Sequence, residues 1–133
     1  MTADRRRLIS ALEIVTGAGI ILFWVAFFTV GMAPEVPPAG YFAYELSFPL
    51  PDGLMSILLI IAGILLLKDK RPAMVMSLVA SGALIFLGLL DFSFNLQNGV
   101  YAASTLDLAI NAFINAWCVG FGLFLSIVIG KSL

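Results

Sequence analysis

The sequence contains no histidine, one cysteine and little charge, since Asp, Glu, Lys and Arg make up only 11% of its 133 residues. Without histidine, the commonest metal ligand and proton shuttle is missing, so we expect no metal site and no cofactor. A single cysteine, Cys118, excludes an intramolecular disulfide and a CxxC redox pair. Acid–base catalysis needs positioned groups, and only scattered carboxylates are available. We therefore expect a protein that is not an enzyme.

Apolar residues account for 62% of the chain, and the mean hydropathy is +1.10. Ordinary soluble domains are about 45–50% apolar and about 25% charged. This composition predicts an integral membrane protein surrounded by lipid, and we expect it in the cytoplasmic membrane of a bacterium or archaeon.

A membrane-spanning helix needs about 20 mainly apolar residues. The sequence offers candidate spans at residues 8–32, 53–67, 72–90 and 105–130. The first apolar run is too long for a signal peptide, whose apolar region has about 7–15 residues, so we expect it to be retained. These stretches predict one all-α domain over residues 1–133, an integral membrane four-helix bundle.

The basic residues are distributed on one side of this bundle. In the predicted topology both outer loops lack them, and all three tyrosines lie on the outer side, as expected of an interfacial aromatic belt. By the positive-inside rule both termini are cytoplasmic. Nucleic-acid binding is not indicated, because the basic clusters serve as topology signals and can also attract anionic lipid headgroups. The seven basic residues are Arg5, Arg6, Arg7, Lys68, Lys70, Arg71 and Lys131.

The first outer loop is rich in proline and contains the aromatic segment YFAYELSF, residues 41–48. Proline fixes φ and removes a hydrogen-bond donor, which favours an extended loop. Its aromatic centre either lies on the membrane surface or forms a lid over an outward-facing cavity. Asp52 follows Pro51 and is predicted to cap the second span.

A polar stripe crosses the fourth span, where Asp107, Asn111 and Asn115 recur every fourth residue. Ser104 and Asp107 resemble a capping box, so Asp107 is predicted to stabilise the start of the helix. The two asparagines lie deeper and need polar partners, because lipid offers an amide none. They are predicted either to form interhelical hydrogen bonds or to line a polar cavity.

Small residues lie beside this stripe at Ala112, Ala116 and Gly120, a spacing that favours close helix packing. Ser77 and Ser81 on the third span form a matching small row. We therefore predict a structural or accessory subunit of a membrane complex, or a homo-oligomer, that acts through helix contacts of the fourth span. The alternative is a small transporter, channel, or lipid- or small-ligand-binding protein whose outward-facing cavity is lined by the polar stripe.

Two further groups of polar residues are candidates for function. Asp91 and Asn95 lie at the outer end of the third span, near Asp107, where oxygen ligands for a cation are possible but solvation is the simpler interpretation. Glu13 lies inside the first span, and an intramembrane carboxylate is a functional candidate. We expect Glu13 to form an ion pair at the cytoplasmic interface, and the alternative is a proton- or cation-coupling role. Its candidate partners are Lys68, Arg71 and Lys131.

Two observations concern packing. Trp24 and Trp117 lie deeper than interfacial residues, so their indole N–H groups are predicted to bond a neighbouring helix. The segments GAGIILF, residues 17–23, and SGALIFLG, residues 81–88, are weakly alike. This likeness indicates either a duplicated helical hairpin or chance in a chain of this composition.

Overall fold

The computed structural model describes residues 1–133 and is entirely helical. Four helices are long and apolar enough to cross a membrane, and one short helix and a 3-10 turn lie in the connections between them. The elements are α1 (Ala3–Thr29), α2 (Tyr41–Glu45), α3 (Pro49–Leu67), α4 (Pro72–Gln97), the 3-10 turn (Val100–Ala102) and α5 (Thr105–Gly130).

The bundle has two chemically different ends. We call the end that carries both chain termini and the α3–α4 turn the terminal end. The opposite end, with α2 and the 3-10 turn, is the loop end. All seven basic residues lie at the terminal end, where Arg6 forms a 2.8 Å ion pair with Asp69 in the turn. The loop end carries carboxylates and no basic residue.

Two helix boundaries differ from the sequence prediction in ways that matter for the site. α4 continues to Gln97 rather than ending near residue 90, because no breaker interrupts the segment before Gly99, which adopts φ 71°. This places Asp91 and Asn95 within the helix. α3 begins at Pro49, which suits a first helical position, so Asp52 lies in the first turn and is not the cap.

The long helices pack in an open arrangement. α1 packs against α3, α3 against α4, and α4 against α5. The core between them is formed by fully buried side chains such as Ile9, Leu59, Leu84 and Leu125. α1 and α5 do not pack against each other over a comparable length, so a gap remains between them on one side of the bundle.

The α1–α3 and α4–α5 pairs are held together by equivalent close contacts at glycine. A Cβ added to Gly63 would lie 2.9 Å from the Ser10 carbonyl oxygen, and one added to Gly122 would lie 2.9 Å from that of Ser81. Glycine is needed there because the backbones approach so closely. Each pair also contains a second tight position: a Cβ at Gly17 would lie 2.7 Å from the Ser56 carbonyl oxygen, and one at Gly88 would lie 2.9 Å from the Val119 side chain.

These contacts define how the two hairpins correspond. Ser10, Ile14 and Gly17 in α1 have the same order and spacing as Ser81, Ile85 and Gly88 in α4. This register differs from the one suggested by the similar segments GAGIILF and SGALIFLG, because it is set by the helix contacts and not by local composition. The two hairpins are therefore alike in packing.

Candidate functional site

A cavity of about 670 Å³ fills the gap between α1 and α5 and extends toward the loop end. Its lining residues Val15 and Gly19 on α1, and Ala109 and Phe113 on α5, remain exposed, so the cavity opens sideways between these two helices. Small-molecule sites have volumes of about 300–1,000 Å³ and mostly apolar walls. The cavity fits this description, since 15 of its 23 lining residues are hydrophobic.

The charge-bearing side chains of the lining are all acidic. Glu45, Asp52 and Asp91 all contribute to it, and no lysine or arginine does. The acidic and cysteine side chains do not converge in a group of three that would hold a metal ion. The carboxylates are instead spread over α2, α3 and α4, and we call the side of this mostly apolar cavity that they form the acidic wall.

Asp91 lies at the centre of a hydrogen-bond network. Its Oδ2 accepts from the amide groups of Asn115 at 2.6 Å and Asn95 at 3.2 Å, and its Oδ1 accepts from the Tyr44 hydroxyl at 3.2 Å. Asn95 also donates to Asn115 Oδ1 at 3.3 Å. The network joins α2, α4 and α5, because its members come from all three helices.

Tyr101 closes this network from the 3-10 turn by donating its hydroxyl hydrogen to Asn115 Oδ1. Burial raises the pKa of Tyr101 above its ordinary value, and the neighbouring Asp91 charge acts in the same direction. The phenol therefore stays protonated and remains a donor.

The two tryptophans each join α1 to another helix along the cavity wall. Trp24 Nε1 donates to Asp52 Oδ2 on α3 at 2.9 Å, and Trp117 Nε1 on α5 donates to Thr16 Oγ1 at 3.0 Å. The predicted indole bonds to neighbouring helices are thus formed. The Trp117–Thr16 bond spans the gap between α1 and α5.

The short helix α2 covers the loop end of the cavity. Tyr41 and Glu45 are buried and line it, as does Phe48, which precedes α3. Tyr44 stacks on Phe94 of α4 with ring centroids 3.8 Å apart and planes 8° apart. Together with its bond to Asp91, this stack holds α2 against the bundle, so the segment covers this end of the cavity, which is the arrangement that a lid requires.

Glu45 is the lid residue without a polar partner. Its exposed fraction is only 8%, yet its carboxylate takes part in none of the side-chain hydrogen bonds or ion pairs at this end. It contributes to the cavity lining. The open space of the cavity is therefore where a partner for this carboxylate fits.

The polar stripe of α5 divides among three roles. Ser104 caps the helix by accepting from the Asp107 amide at 3.0 Å, and its hydroxyl donates to the Asp107 carboxylate at 2.7 Å, as the sequence predicts. Asn111 lines the cavity but forms no interhelical bond; it donates to the Asp107 carbonyl of its own helix at 2.9 Å. Asn115 both lines the cavity and bonds to α4. Asp107 itself does not line it.

Glu13 is placed differently from the expected ion pair. It is fully buried, and neither carboxylate oxygen has a hydrogen-bond partner or a basic group within ion-pair distance. Ser77 on α4 is its polar neighbour, but the two groups do not meet in hydrogen-bond geometry. The predicted pairing is wrong because Glu13 faces the inside of the bundle, away from the exposed lysines and arginines of the terminal end.

The small residues of α5 for which the sequence predicts close packing do not face the interior of the bundle. Ala116 and Gly120 are exposed, and a Cβ at Gly120 would meet nothing within 4 Å. Ala112 is half-buried. The close α4–α5 approach uses Gly122 instead, and there Ser81 and Ser126 share a 2.9 Å hydroxyl–hydroxyl bond.

Sequence reasoning did not find Glu45 and Asp52 as members of the site. It predicts Asp52 as a cap, and it places the segment around Glu45 either on the membrane surface or over a cavity without giving Glu45 a role of its own. Their contacts join residues far apart in the chain, and the helical spacing within one segment carries no signal of such contacts. The one available signal was the concentration of acidic residues in connections that lack any basic residue.

Comparison with curated proteins and with solved structures gave no significant match. One family model, described as a domain of unknown function, DUF8058, matches residues 3–129 and so covers almost the whole helical bundle, including every residue of the cavity lining. The chain belongs to the DUF8058 family.

Proposed function

We propose that this chain is an integral membrane protein that binds a small, largely apolar molecule in the cavity between α1 and α5. Membrane insertion is supported by four helices with mean hydropathies of 2.1 to 2.3 and by the large apolar side chains exposed along them, such as Leu22, Val25 and Phe86. Apolar surface of this extent is unfavourable in water. Lipid is the solvent that suits it.

The orientation proposed for this bundle has both termini in the cytoplasm. Its support is the concentration of all seven basic residues at the terminal end, opposite the loop end. In this orientation the lid α2 and the acidic wall face outward. The side opening between α1 and α5 faces the bilayer, so a molecule dissolved in lipid reaches the cavity without crossing water.

The observation that carries the binding proposal is the cavity itself, with its apolar lining and one polar wall. Interiors of proteins are normally close-packed. Here hydrogen bonds between side chains of α1, α2, α3, α4 and α5 hold the walls of a cavity of about 670 Å³ in place. The cavity is therefore more than a packing defect. Such a combination of apolar walls and a few placed polar groups is typical of ligand sites.

The test uses the two tryptophans, the only ones in the chain, which both line the cavity. The purified protein in neutral maltoside micelles is titrated with 1-aminoanthracene, a small neutral fluorophore that accepts energy from indole. We expect saturable energy transfer. Gly19→Phe fills the cavity from α1, where a Cβ has open space, and should abolish the saturable component.

The matched control is Gly120→Phe, because Gly120 also has open space around its Cβ but does not line the cavity. It should leave the titration unchanged. Energy transfer that rises linearly in all three proteins, as simple partition into micelles gives, would contradict the proposal.

Assembly through α5 is a second candidate function, as a homo-oligomer or an accessory subunit of a membrane complex. The observation that favours it is the exposed small face formed by Ala116 and Gly120, which lets another helix approach closely. Sedimentation of the same micelle samples tests it. A smaller mass for Gly120→Phe than for the parent and Gly19→Phe supports assembly, and one monomeric mass for all three excludes a homo-oligomer.

A further inference from the structure

We propose that the molecule taken up by the cavity is an organic cation, such as an amine or a quaternary ammonium compound with an apolar body. This inference rests on the proposed binding function and names the chemical class of its ligand. It follows from the charge, the unpartnered carboxylate and the aromatic rings of the cavity, each considered below.

The charge-bearing side chains of the cavity wall are all carboxyl groups. Glu45, Asp52 and Asp91 line it, whereas every lysine and arginine of the chain lies at the terminal end. Asp52 and Asp91 accept hydrogen bonds only from neutral donors, among them Trp24 and Asn115. Carboxylates withdrawn from water without a positive partner are costly, so a cationic ligand supplies the charge that the protein does not.

Glu45 provides the second, independent observation. It is more than nine-tenths buried, lines the cavity, and has no hydrogen bond or ion pair of its own. Asp52 and Asp91, by contrast, are engaged with the bundle. The free carboxylate on the lid is therefore the group that the positive end of a ligand meets.

Aromatic side chains surround the same space. Trp24, Tyr41, Phe48 and Trp117 all line the cavity. The face of an aromatic ring attracts a cation, and tryptophan does so most strongly. Quaternary ammonium groups are recognised by aromatic rings of this kind, and a negative charge nearby attracts them further, whereas a neutral ligand without a hydrogen-bond donor gains nothing from the carboxylates.

The same lining favours an organic cation over a metal ion. Calcium and magnesium need six or more oxygen ligands at close range, and no three acidic or cysteine side chains of this chain converge to hold an ion. An organic cation brings its own apolar surface, which suits the 15 hydrophobic residues of the lining.

The experiment compares two probes of the same shape, N-benzylpyridinium and neutral diphenylmethane. Pyridinium ions quench indole fluorescence, so the two tryptophans of the cavity report cation binding directly. In neutral maltoside micelles we expect saturable quenching of the parent protein. Diphenylmethane, corrected for micelle partition, should displace the cation only at much higher concentration.

Glu45→Gln tests the lid carboxylate, with Glu35→Gln as its matched control at an exposed position of the same connection. We expect the first variant to weaken cation binding about ten-fold, which corresponds to about 1.4 kcal/mol, because the ligand loses a charged partner, and the second to leave it unchanged. Binding of 1-aminoanthracene should be retained in both, which shows that the cavity is intact.

The possible failures are distinguishable. If 1-aminoanthracene binds but N-benzylpyridinium does not, the ligand is not a cation and the binding function stands. The same conclusion follows if diphenylmethane binds with the same affinity as N-benzylpyridinium. Equal cation affinity in Glu45→Gln and the parent likewise overturns the role of the lid carboxylate. If neither 1-aminoanthracene nor the cation binds saturably, the proposed function itself fails.

Discussion

Asn115 is the residue at which the polar contacts of the loop end meet. Its amide donates to Asp91, and its carbonyl oxygen accepts from Asn95 and Tyr101. Asn111, one turn earlier, bonds only to a carbonyl of its own helix. Two asparagines with the same spacing on one stripe therefore have different structural importance.

Replacing each of them with leucine tests this difference. Asn115→Leu should lower the free energy of unfolding by about 1–3 kcal/mol, because it leaves buried partners without hydrogen bonds. Asn111→Leu, as the matched control, should change it by less than about 0.5 kcal/mol. The measurement is reversible unfolding in mixed micelles. Equal losses in the two variants would contradict the assignment of the network to Asn115.

Glu13 is a buried polar residue whose carboxyl group forms no stabilising hydrogen bond or ion pair in the bundle. Both of its carboxylate oxygens lack partners, and the side chain is fully buried. Glu13→Met, which keeps the unbranched shape, should therefore raise the free energy of unfolding by about 1–3 kcal/mol. Glu35→Met at an exposed loop position is the control and should have little effect. A destabilised Glu13→Met protein would show that the carboxyl group has a stabilising partner.

At the level of single residues, the sequence predicted which groups are special better than it predicted their partners. The cap at Ser104, the need of Asn115 for a polar partner and the indole bonds of the tryptophans follow from local spacing and from the scarcity of partners in lipid, but the difference between Asn115 and Asn111 does not. The partner of Glu13 and the roles of Asp52 and Glu45 did not follow, since they depend on which helices become neighbours.

The helix pairs depend on glycines that have a backbone or side chain directly against them. In α5, Gly122 lies against Ser81 and Ile85 of α4, whereas Gly120, two residues earlier, lies in open space. These two positions of one helix therefore differ in what a methyl group would meet.

The same substitution at these glycines should have opposite effects. Gly122→Ala should destabilise by about 1–3 kcal/mol through overpacking. Gly120→Ala should stabilise by about 0.5–1 kcal/mol, because alanine is the better helix former. Thermal unfolding followed by circular dichroism measures both. Loss of stability in Gly120→Ala would mean that this face is already covered, for example by a second copy of the chain.

The sequence predicts a helix boundary correctly where a proline or a capping residue marks it, and less accurately elsewhere. Pro72 and the cap at Ser104 mark the starts of α4 and α5 as expected. α4 runs past its predicted end, because Asp91 and Asn95 lie beyond the apolar stretch that defines the predicted span and yet continue the helix on one face. Hydropathy reports where lipid ends, which is not always where a helix ends.

The molecule as a whole has a positive terminal end and an acidic loop end. The proposed orientation follows from this asymmetry. This charge asymmetry is the feature most easily predicted from the sequence, since it requires only a count of the basic and acidic residues in the connections. The cavity depends instead on which helices do not pack against each other, and the sequence of a single segment does not show this.

Cysteine labelling of intact cells tests the orientation on a Cys118→Ser background. Ala43→Cys, an exposed position of α2, should react with a membrane-impermeant maleimide added outside. The matched reporter Ala3→Cys at the start of α1 should react only after permeabilisation. The reverse pattern would overturn the proposed topology.

The equivalent glycine contacts of the two hairpins have a consequence for how such a molecule is built. A unit of two antiparallel helices begins and ends on the same side, so a copied unit is inserted in the same orientation as the original and needs no change in its flanking charges. Here Arg5–Arg7 lie in the first two turns of α1, and Lys68–Arg71 directly precede α4, so each unit has a basic cluster at its start. The connections at the other end have no such requirement, which leaves them free to differ: one contains the lid α2, and the other contains a short turn beside Asp91.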